Sequence, residues 1–201
     1  TSGGFTIYSS TGRVIEADYL CIASGGYPKE SQYDWLRSTG HLIDPPVPSL
    51  FTFNMPDEPI TKLMGVSVGN VVAKIDGTKW KMEGPLLITH WGMSGPCILK
   101  LSAWAAGELA SFQYNFTLII NWLPDYPEQE LHKNWELWRK EFGGSKMFSH
   151  NPFELPLRLW QYLLEKCGID HSMRWSELPA GKQKLLINLL KASSFIVKGK
   201  T

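Results

Sequence analysis

A turn that combines glycines, a serine and a histidine lies near the middle of the chain. It reads THWGMSGP over residues 89–96 and follows the apolar run LLI. A nucleophile elbow for acyl transfer has the order Gly-x-Ser-x-Gly between a strand and a helix, because the flanking glycines let a tight turn expose the hydroxyl. Here Gly95 comes one place too early for that order. The favoured interpretation is a helix that is capped by Ser94 and carries Pro96 in its first turn.

The same turn does not match a phosphate-binding loop. The Gly-Lys-Ser/Thr ending is absent, so no lysine stands where it would reach the β- and γ-phosphates. The chemistry that remains is a helix N-terminus whose amide groups face an anion or a polarised carbonyl. His90 lies beside this helix start as a hydrogen-bond donor or proton carrier. We predict a catalytic role for His90, and a structural hydrogen bond is the alternative.

A metal site is not predicted. The five histidines are never three or four residues apart and never adjoin a cysteine, so the spacing of protein metal sites is missing. The three cysteines are Cys21, Cys97 and Cys167. Their odd number and wide separation argue against a disulfide framework and a zinc site. A reducing, cytoplasmic location is therefore expected.

The charge balance bears on partners. The chain has 20 basic and 19 acidic residues and a net charge of +1. Such a balance creates no field that would attract nucleic acid or an anionic membrane. The apolar runs are also shorter than the ~18 residues that a membrane span requires. We therefore expect neither nucleic acid nor a membrane as a partner.

The elements that must position the turn can be predicted from periodicity. Alternation of apolar and polar residues across Ser10-Thr11-Gly12, followed by the apolar run YLCIA, predicts β structure over residues 1–27. A short helix is predicted in SQYDWLRSTGH, with Gly40 at its end. From about residue 50 to 90, the short strands SLFTFNM, VSVGNVVAKI, KWKM and LLITH favour a small barrel or sandwich.

The remainder of the chain changes from strands to helices. CILKLSAWAAGELA predicts one helix, and NFTLIINWL predicts a further strand. Apolar residues at positions i, i+3 and i+4 then predict helices in EQELHKNWELWRKEF, LPLRLWQYLLEKCG and KQKLLINLLKAS. FIVKG closes the chain as a strand. The predicted fold class is α+β, a small β-barrel followed by a cluster of about three helices.

Several segments together carry a resemblance to a known family. IEADYLCIASGGYPK resembles the strand that ends in Ala-Thr-Gly-Gly in flavin-binding dinucleotide-fold oxidoreductases, and STGHLIDPPVPSLFTF is similar to a second segment of these proteins. GPLLITHWGMSGPCILKLS strongly resembles their Thr-His-x-Gly-x-Ser-Gly-Pro motif, and FIVKGKT resembles their Phe-x-Val-x-Gly strand. On these motifs, the sequence resembles the bacterial NAD(P)/FAD-dependent oxidoreductases that include aminoacetone oxidase and BaiN-like flavoproteins.

The resemblance implies a domain organisation, because in this family an insert of a small β-barrel and a helical cluster interrupts the flavin domain. It implies that residues 1–44 are an edge of the FAD-binding domain, 45–126 the barrel with one helix, 127–194 the helical part, and 195–201 a strand that returns to the FAD domain. The family's glycine-rich phosphate loop and closing Gly-Gly segments are absent. We therefore expect an excised piece of a longer flavoenzyme that neither retains FAD nor turns over alone.

Two sets of site residues follow from the resemblance. The set that matches the flavin-side turn is implied to bind the cofactor and comprises Ala23, Ser24, Gly25 and Gly26. The set that matches the insert motif is implied to face the reaction chamber or to fix the corner between barrel and helix, and comprises Thr89, Gly92, Ser94, Gly95 and Pro96. The family's Gly-Ser-Thr-Gly-Asp-Gly-Tyr is replaced by ESQYDWL, which lacks glycines for a close backbone approach to the cofactor.

The expected function is therefore the substrate-side insert of an FAD-dependent oxidoreductase. Its implied partners are the remainder of the flavin domain and a small-molecule substrate, with NAD(P)H as a further candidate cofactor. The alternative is a stand-alone binding module for carbohydrate or protein that uses exposed tryptophans. The chain has nine tryptophans, but Trp135, Trp138 and Trp160 lie among leucines in predicted helices, which favours packing for these three.

Overall fold

The computed structural model describes residues 3–201 and divides the chain into two units, which meet in the sequence between Pro46 and Val47. Each unit has its own sheet. The first two residues of the predicted segment 1–44 lie outside the described residues.

The first unit begins with a hairpin. Strand β1 (Phe5–Tyr8) pairs antiparallel with β2 (Val14–Ala17). The turn between them holds Gly12 at φ +80°, which a residue without a side chain adopts freely. A 3₁₀ turn at Glu30–Tyr33 and the short helix α1 (Asp34–Arg37) follow. The predicted strand pair and the predicted short helix are both confirmed.

The apolar segment 19–23 is not a strand, so the prediction of β structure through residue 27 is wrong beyond Ala17. Tyr19 is 91% exposed and Ile22 is 48% exposed. Within residues 3–201, no backbone hydrogen bond reaches this segment. A strand needs a neighbour that satisfies its backbone groups, and the first unit supplies none.

A six-stranded antiparallel sheet forms the centre of the second unit. Its strands are β3 (Phe53–Asn54), β4 (Ser67–Ile75), β5 (Lys81–Ile88), β6 (Gly92–Ser94), β7 (Asn115–Asn121) and β8 (Ser193–Lys198). Their order in space is β3-β6-β5-β4-β7-β8. A bridge between Phe53 and Lys200 joins the two edges. The sheet is therefore a near-closed barrel, which confirms the predicted barrel rather than the sandwich.

Side chains of the barrel alternate between its inside and its outside, as the period of a strand requires. On β4, Ala73 and Ile75 are buried while Lys74 between them is exposed. Strand β5 runs unbroken through Pro85, although the sequence pattern suggests two strands there. Pro85 lies opposite a register shift in β4, where the ladder is already interrupted and its missing N–H matters little.

The helix predicted after the turn is two helices. They are α2 (Pro96–Trp104) and α3 (Ala106–Ser111), and Ala105 between them has φ −95° and ψ 12°. The buried face of α2 includes Cys97, whose thiol donates to the carbonyl oxygen of Met82 on β5 at 3.2 Å. Helix α2 therefore packs on the barrel strand that leads into the turn.

The helical part of the second unit consists of α4 (Glu128–Glu141), α5 (Leu157–Lys166) and α6 (Ala180–Ala192). These three helices confirm the prediction from apolar spacing. Lys191 on α6 donates to the carbonyl oxygen of Leu123 at 2.7 Å and to that of Tyr126 at 2.6 Å. These bonds attach α6 to the segment that follows β7.

Several of the nine tryptophans lie in the core. Four tryptophans are almost completely buried, namely Trp122, Trp135, Trp160 and Trp175. Trp160 stacks on Trp175 with an angle of 10° between the ring planes. Trp35 and Trp104 are exposed, and they belong to different units. Packing is thus confirmed for the helical tryptophans, and the described part of neither unit presents a cluster of exposed tryptophans.

Candidate functional site

The motif at residues 89–96 begins with a tight turn between β5 and β6. The N–H of Thr89 donates to the carbonyl oxygen of Gly92 at 2.8 Å, and the N–H of Gly92 donates to Thr89 Oγ1 at 3.1 Å. His90 and Trp91 are the two residues at the tip. The two hydrogen bonds therefore hold Thr89 and Gly92 together, and the side chains of His90 and Trp91 lie at one end of the barrel.

The imidazole of His90 is exposed and lies edge-on to the ring of Trp91, with 4.4 Å between the ring centroids and 77° between the planes. Neither ring nitrogen of His90 hydrogen-bonds to another of the residues 3–201. The alternative role of His90, a structural hydrogen bond, therefore lacks a partner in the described part of the chain. The ring remains able to donate or accept a proton toward a ligand.

Trp91 is anchored through both its main chain and its side chain. Its carbonyl oxygen accepts from the N–H of Met55 at 2.7 Å, and its Nε1–H donates to Thr52 Oγ1 at 3.0 Å. Thr52 in turn exchanges two backbone hydrogen bonds with Thr201, at 2.9 and 3.1 Å. The tip of the turn is therefore attached to the place where the first and last strands of the barrel meet.

Gly92 is required by the close approach of two strands. It has φ +153°, and a Cβ atom there would overlap the carbonyl oxygen of Phe53 and lie 3.0 Å from the nitrogen of Met55. Phe53 and Asn54 form the whole of β3, which pairs with β6 at this point. The glycine of the motif therefore allows β3 to pair with β6.

The prediction that Ser94 caps the helix is wrong. Ser94 belongs to β6 and pairs with Leu87, while Gly95 is the residue before the helix and makes no side-chain cap. Gly95 has φ +101°, and a Cβ atom there would lie 2.9 Å from the carbonyl oxygen of Pro85. Only glycine fits this crowded, left-handed corner. Pro96 begins α2 as expected.

The two halves of the motif are not brought together. Strand β6 lies between the His90 turn and the start of α2, and three extended residues span about 10 Å. His90 and the first amide groups of α2 therefore mark opposite ends of a short strand. A joint role of both groups around one small anion is not supported by this arrangement.

The cofactor-binding set lies in the first unit. Ala23, Ser24, Gly25 and Gly26 are all exposed. Gly25 has φ +78°, and a Cβ atom there would meet open space. The backbone of this segment is therefore accessible to a ligand.

Sequence reasoning missed Thr52, Asn54 and Trp91 as parts of the site. Thr52 and Asn54 flank the buried Phe53, and this alternation alone would predict that they face away from the core. Their partners could not be predicted, because Thr52 bonds to a residue 39 positions away and Asn54 accepts from Thr201 Oγ1 at 2.6 Å across 147 positions. Trp91 belongs to the motif, but its place at the tip of the hairpin is visible only in the fold.

Within residues 3–201, no group of three or more His, Cys, Asp or Glu side chains is placed to hold a metal ion. No helix among these residues is long and apolar enough to cross a membrane.

A cleft of about 340 Å³ lies between α5 and the 3₁₀ turn at Pro59–Leu63. Arg158 of α5 crosses it and donates to the carbonyl oxygen of Lys62 at 2.9 Å. Tyr162 lies in the same wall, and its buried hydroxyl has no hydrogen-bond partner among the described residues. Burial, with a smaller contribution from Glu58, raises the pKa of Tyr162 to about 12. The cleft therefore contains a protonated phenol, that of Tyr162, whose hydroxyl has no hydrogen-bond partner among the described residues.

Replacing Tyr162 by phenylalanine should raise the free energy of unfolding at pH 7 by about 1 kcal/mol, because an unpaired buried hydroxyl is removed. The raised pKa means that the folded state holds this proton more tightly than the unfolded state, whose tyrosines titrate near 10. The stability that the bound proton contributes is present below pH 10 and is lost as the pH rises toward 12. Tyr162→Phe should therefore lose less stability over that interval.

Urea unfolding at pH 7 and at alkaline pH measures both effects. The matched control is Tyr8→Phe, because Tyr8 is 77% exposed and should change neither quantity. The same alkaline loss in Tyr162→Phe and in the unaltered chain would contradict the role given to this hydroxyl.

Two curated relatives are similar to the chain. It is 27% identical over 205 residues to the 3-dehydro-bile acid delta(4,6)-reductase of Clostridium scindens, across 97% of this chain and 49% of that protein. It is 33% identical over 132 residues to the ribosomal RNA dihydrouridine synthase of Escherichia coli K12, across 61% of this chain and 30% of that protein. The chain thus spans about half the length of the first relative and matches a smaller part of the second.

The second relative bears on possible partners, because by its name it acts on ribosomal RNA. The expectation that nucleic acid is not a partner rests on the net charge alone, and a balanced total does not report how charges are distributed on a surface. That exclusion is therefore not supported.

Family membership follows from the second unit. Residues 47–201 match the HI0933-like protein barrel and H2TH domain, and the same residues form the compact unit Val47–Thr201. The resemblance stated from the sequence motifs is thereby confirmed. The chain belongs to the HI0933-like family, and its residues 47–201 are the barrel and H2TH domain of that family.

Proposed function

We propose that this chain is the substrate-side insert, with a neighbouring edge of the cofactor domain, of an FAD-dependent oxidoreductase that saturates a carbon–carbon double bond conjugated with a carbonyl group. The names of both relatives support this class, since one describes a delta(4,6)-reductase and the other forms dihydrouridine. The chain matches half or less of each relative's length. Activity would therefore belong to a longer protein, and the 201 residues alone would not turn over.

The observation that carries this proposal is the placement of His90. Its imidazole is exposed on a turn whose neighbouring residue Trp91 is anchored at both its main chain and its indole. A group held on a rigid scaffold but left unpaired is suited to contact a ligand. The turn also adjoins Thr52, which pairs with Thr201 where the first and last strands of the barrel meet.

FAD would contact the chain at residues 23–26. This segment would form one wall of the cofactor site. It is exposed, and Gly25 has φ +78° with open space in place of a side chain, which lets the cofactor approach the backbone closely. Four residues do not enclose a cofactor, so the rest of the site would come from outside this chain. When bound, the flavin supplies a hydride. NAD(P)H is the proposed source of electrons.

The contribution of His90 would be a proton. Saturation of the double bond breaks one π bond and forms two C–H bonds, with the hydride on one carbon and a proton on the carbon next to the carbonyl. The imidazolium N–H of His90 would deliver that proton, and water would return a proton to the ring. The indole of Trp91 would hold the imidazole of His90 and leave the far edge of the imidazole free, since the two rings meet edge-on.

Two substrate classes are supported by different observations. A small molecule is favoured by the bile acid reductase, which matches nearly the whole chain. A uridine in RNA is the second candidate, favoured by the higher identity to the ribosomal RNA enzyme over a shorter segment. The stand-alone binding module has less support, because neither unit presents an exposed tryptophan cluster in its described part.

The experiment that tests the proposal uses the full-length protein that contains this chain. Purified with FAD, it should be yellow, and its flavin should be bleached by NAD(P)H without oxygen. Addition of a 3-keto-delta(4,6) bile acid or of an unmodified ribosomal RNA transcript should then restore the oxidised absorbance. The probe that restores it decides between the two substrate classes. A protein that binds no flavin, or a reduced flavin that neither probe reoxidises, would contradict the proposal.

A further inference from the structure

We infer that Thr52 and Trp91 are positioning residues for His90, and this inference rests on the proposed function. The ring of His90 has no hydrogen-bond partner among residues 3–201, so its orientation depends on the turn and on the neighbouring indole, 4.4 Å away between centroids. An exposed side chain without such a contact would lose more conformational freedom when it engages a ligand. The indole of Trp91 is thus the wall that limits where the imidazole can lie.

The indole of Trp91 is itself held by the hydroxyl group of Thr52. Thr52 Oγ1 accepts from Trp91 Nε1–H at 3.0 Å and donates to the carbonyl oxygen of Thr201 at 3.2 Å. The hydroxyl can satisfy both bonds because it offers one donor and two acceptor sites. A chain of contacts therefore runs from Thr201 through Thr52 and Trp91 to His90.

The backbone around this chain is fixed independently of the hydroxyl. Thr52 keeps two main-chain hydrogen bonds to Thr201, and the carbonyl oxygen of Trp91 keeps its bond from Met55. Loss of the Thr52 hydroxyl should therefore free the indole without opening the barrel. This separation makes it possible to distinguish a positioning role from a purely structural one.

The test compares Thr52→Val, which keeps the shape of the side chain but removes the hydroxyl, with Thr52→Ser, which keeps the hydroxyl. In the full-length protein, Thr52→Val should lower kcat for the reoxidising probe on the order of tenfold with KM nearly unchanged, because a small displacement of a reacting group has large effects on rate. Thr52→Ser should retain most of the activity. The ¹⁹F spectrum of protein labelled with fluorotryptophan should show a shifted Trp91 resonance in Thr52→Val only, the resonance being assigned by its loss in Trp91→Phe.

The outcomes separate this inference from the proposed function. If His90→Ala slows the reaction and Thr52→Val shifts the Trp91 resonance but leaves kcat unchanged, the positioning role is wrong and the proposed function stands. If Thr52→Ser loses as much activity as Thr52→Val, the hydroxyl is not the responsible group and the inference also fails. If His90→Ala itself has no effect, the proposed role of His90 fails, and the positioning role with it.

Discussion

Replacement of His90 by alanine in the full-length protein is expected to slow reoxidation of the reduced flavin by substrate about 100- to 10,000-fold, the usual contribution of a positioned acid or base. Reduction of the flavin by NAD(P)H should stay the same, because His90 is proposed to give a proton to the substrate and not to the cofactor. Stopped-flow absorbance of the flavin measures the two half-reactions separately.

The matched control for this experiment is His132→Ala. His132 is exposed on α4, so its loss should leave both half-reactions unchanged. Equal reoxidation rates in His90→Ala and His132→Ala would show that His90 carries no proton in the reaction. A slower reduction half-reaction in His90→Ala would instead place His90 against the reductant, which also contradicts the present assignment.

Replacement of Gly92 by alanine should lower the free energy of unfolding of the second unit by about 3 kcal/mol. Part of this cost is backbone strain, since φ is +153° and non-glycine residues held in rare conformations cost about 1–3 kcal/mol. The rest is overlap of the added methyl group with the carbonyl oxygen of Phe53, since overpacking of a closed site costs about 1–3 kcal/mol. Urea unfolding followed by tryptophan fluorescence measures the change.

Gly107→Ala is the control for the glycine substitution. Gly107 lies in α3, and a Cβ atom there would meet no other atom within 4 Å. Alanine should therefore stabilise the helix by about 0.5–1 kcal/mol relative to glycine. A stability of Gly92→Ala equal to that of the unaltered chain would mean that β3 and β6 do not approach as closely as the fold requires.

Local sequence patterns predicted those parts of the fold that periodicity encodes. The apolar spacing of α5 gave a helix because Leu159, Leu163 and their neighbours must share one buried face. Strand patterns predicted the segments that contain β3, β4, β5, β7 and β8 but not β6. The motif at residues 89–96 pointed to the family through its resemblance. Periodicity did not reveal the break at Ala105, because both flanking helices keep the same apolar spacing.

The failures have a common cause: each depends on which segments pair with one another, and a local sequence pattern does not report this pairing. The apolar segment 19–23 looks like a buried strand, yet it has no partner strand within its unit. Ser94 looks like a helix cap, but pairing with Leu87 draws it into β6 and leaves the corner to Gly95. The anchor between Thr52 and Trp91 is likewise invisible until β3 is placed beside the turn.

The central claim is that the turn carrying His90 faces bound substrate, and thiol protection in the full-length protein tests it most directly. His90→Cys introduces a reactive thiol at the tip of the turn, and His132→Cys introduces one on α4. Peptide mass spectrometry would follow alkylation of each thiol with the flavin oxidised, so that the probe binds without turnover. The probe that reoxidises the flavin is expected to slow alkylation at position 90 and to leave alkylation at position 132 unchanged. Equal alkylation of position 90 with and without that probe would contradict the account.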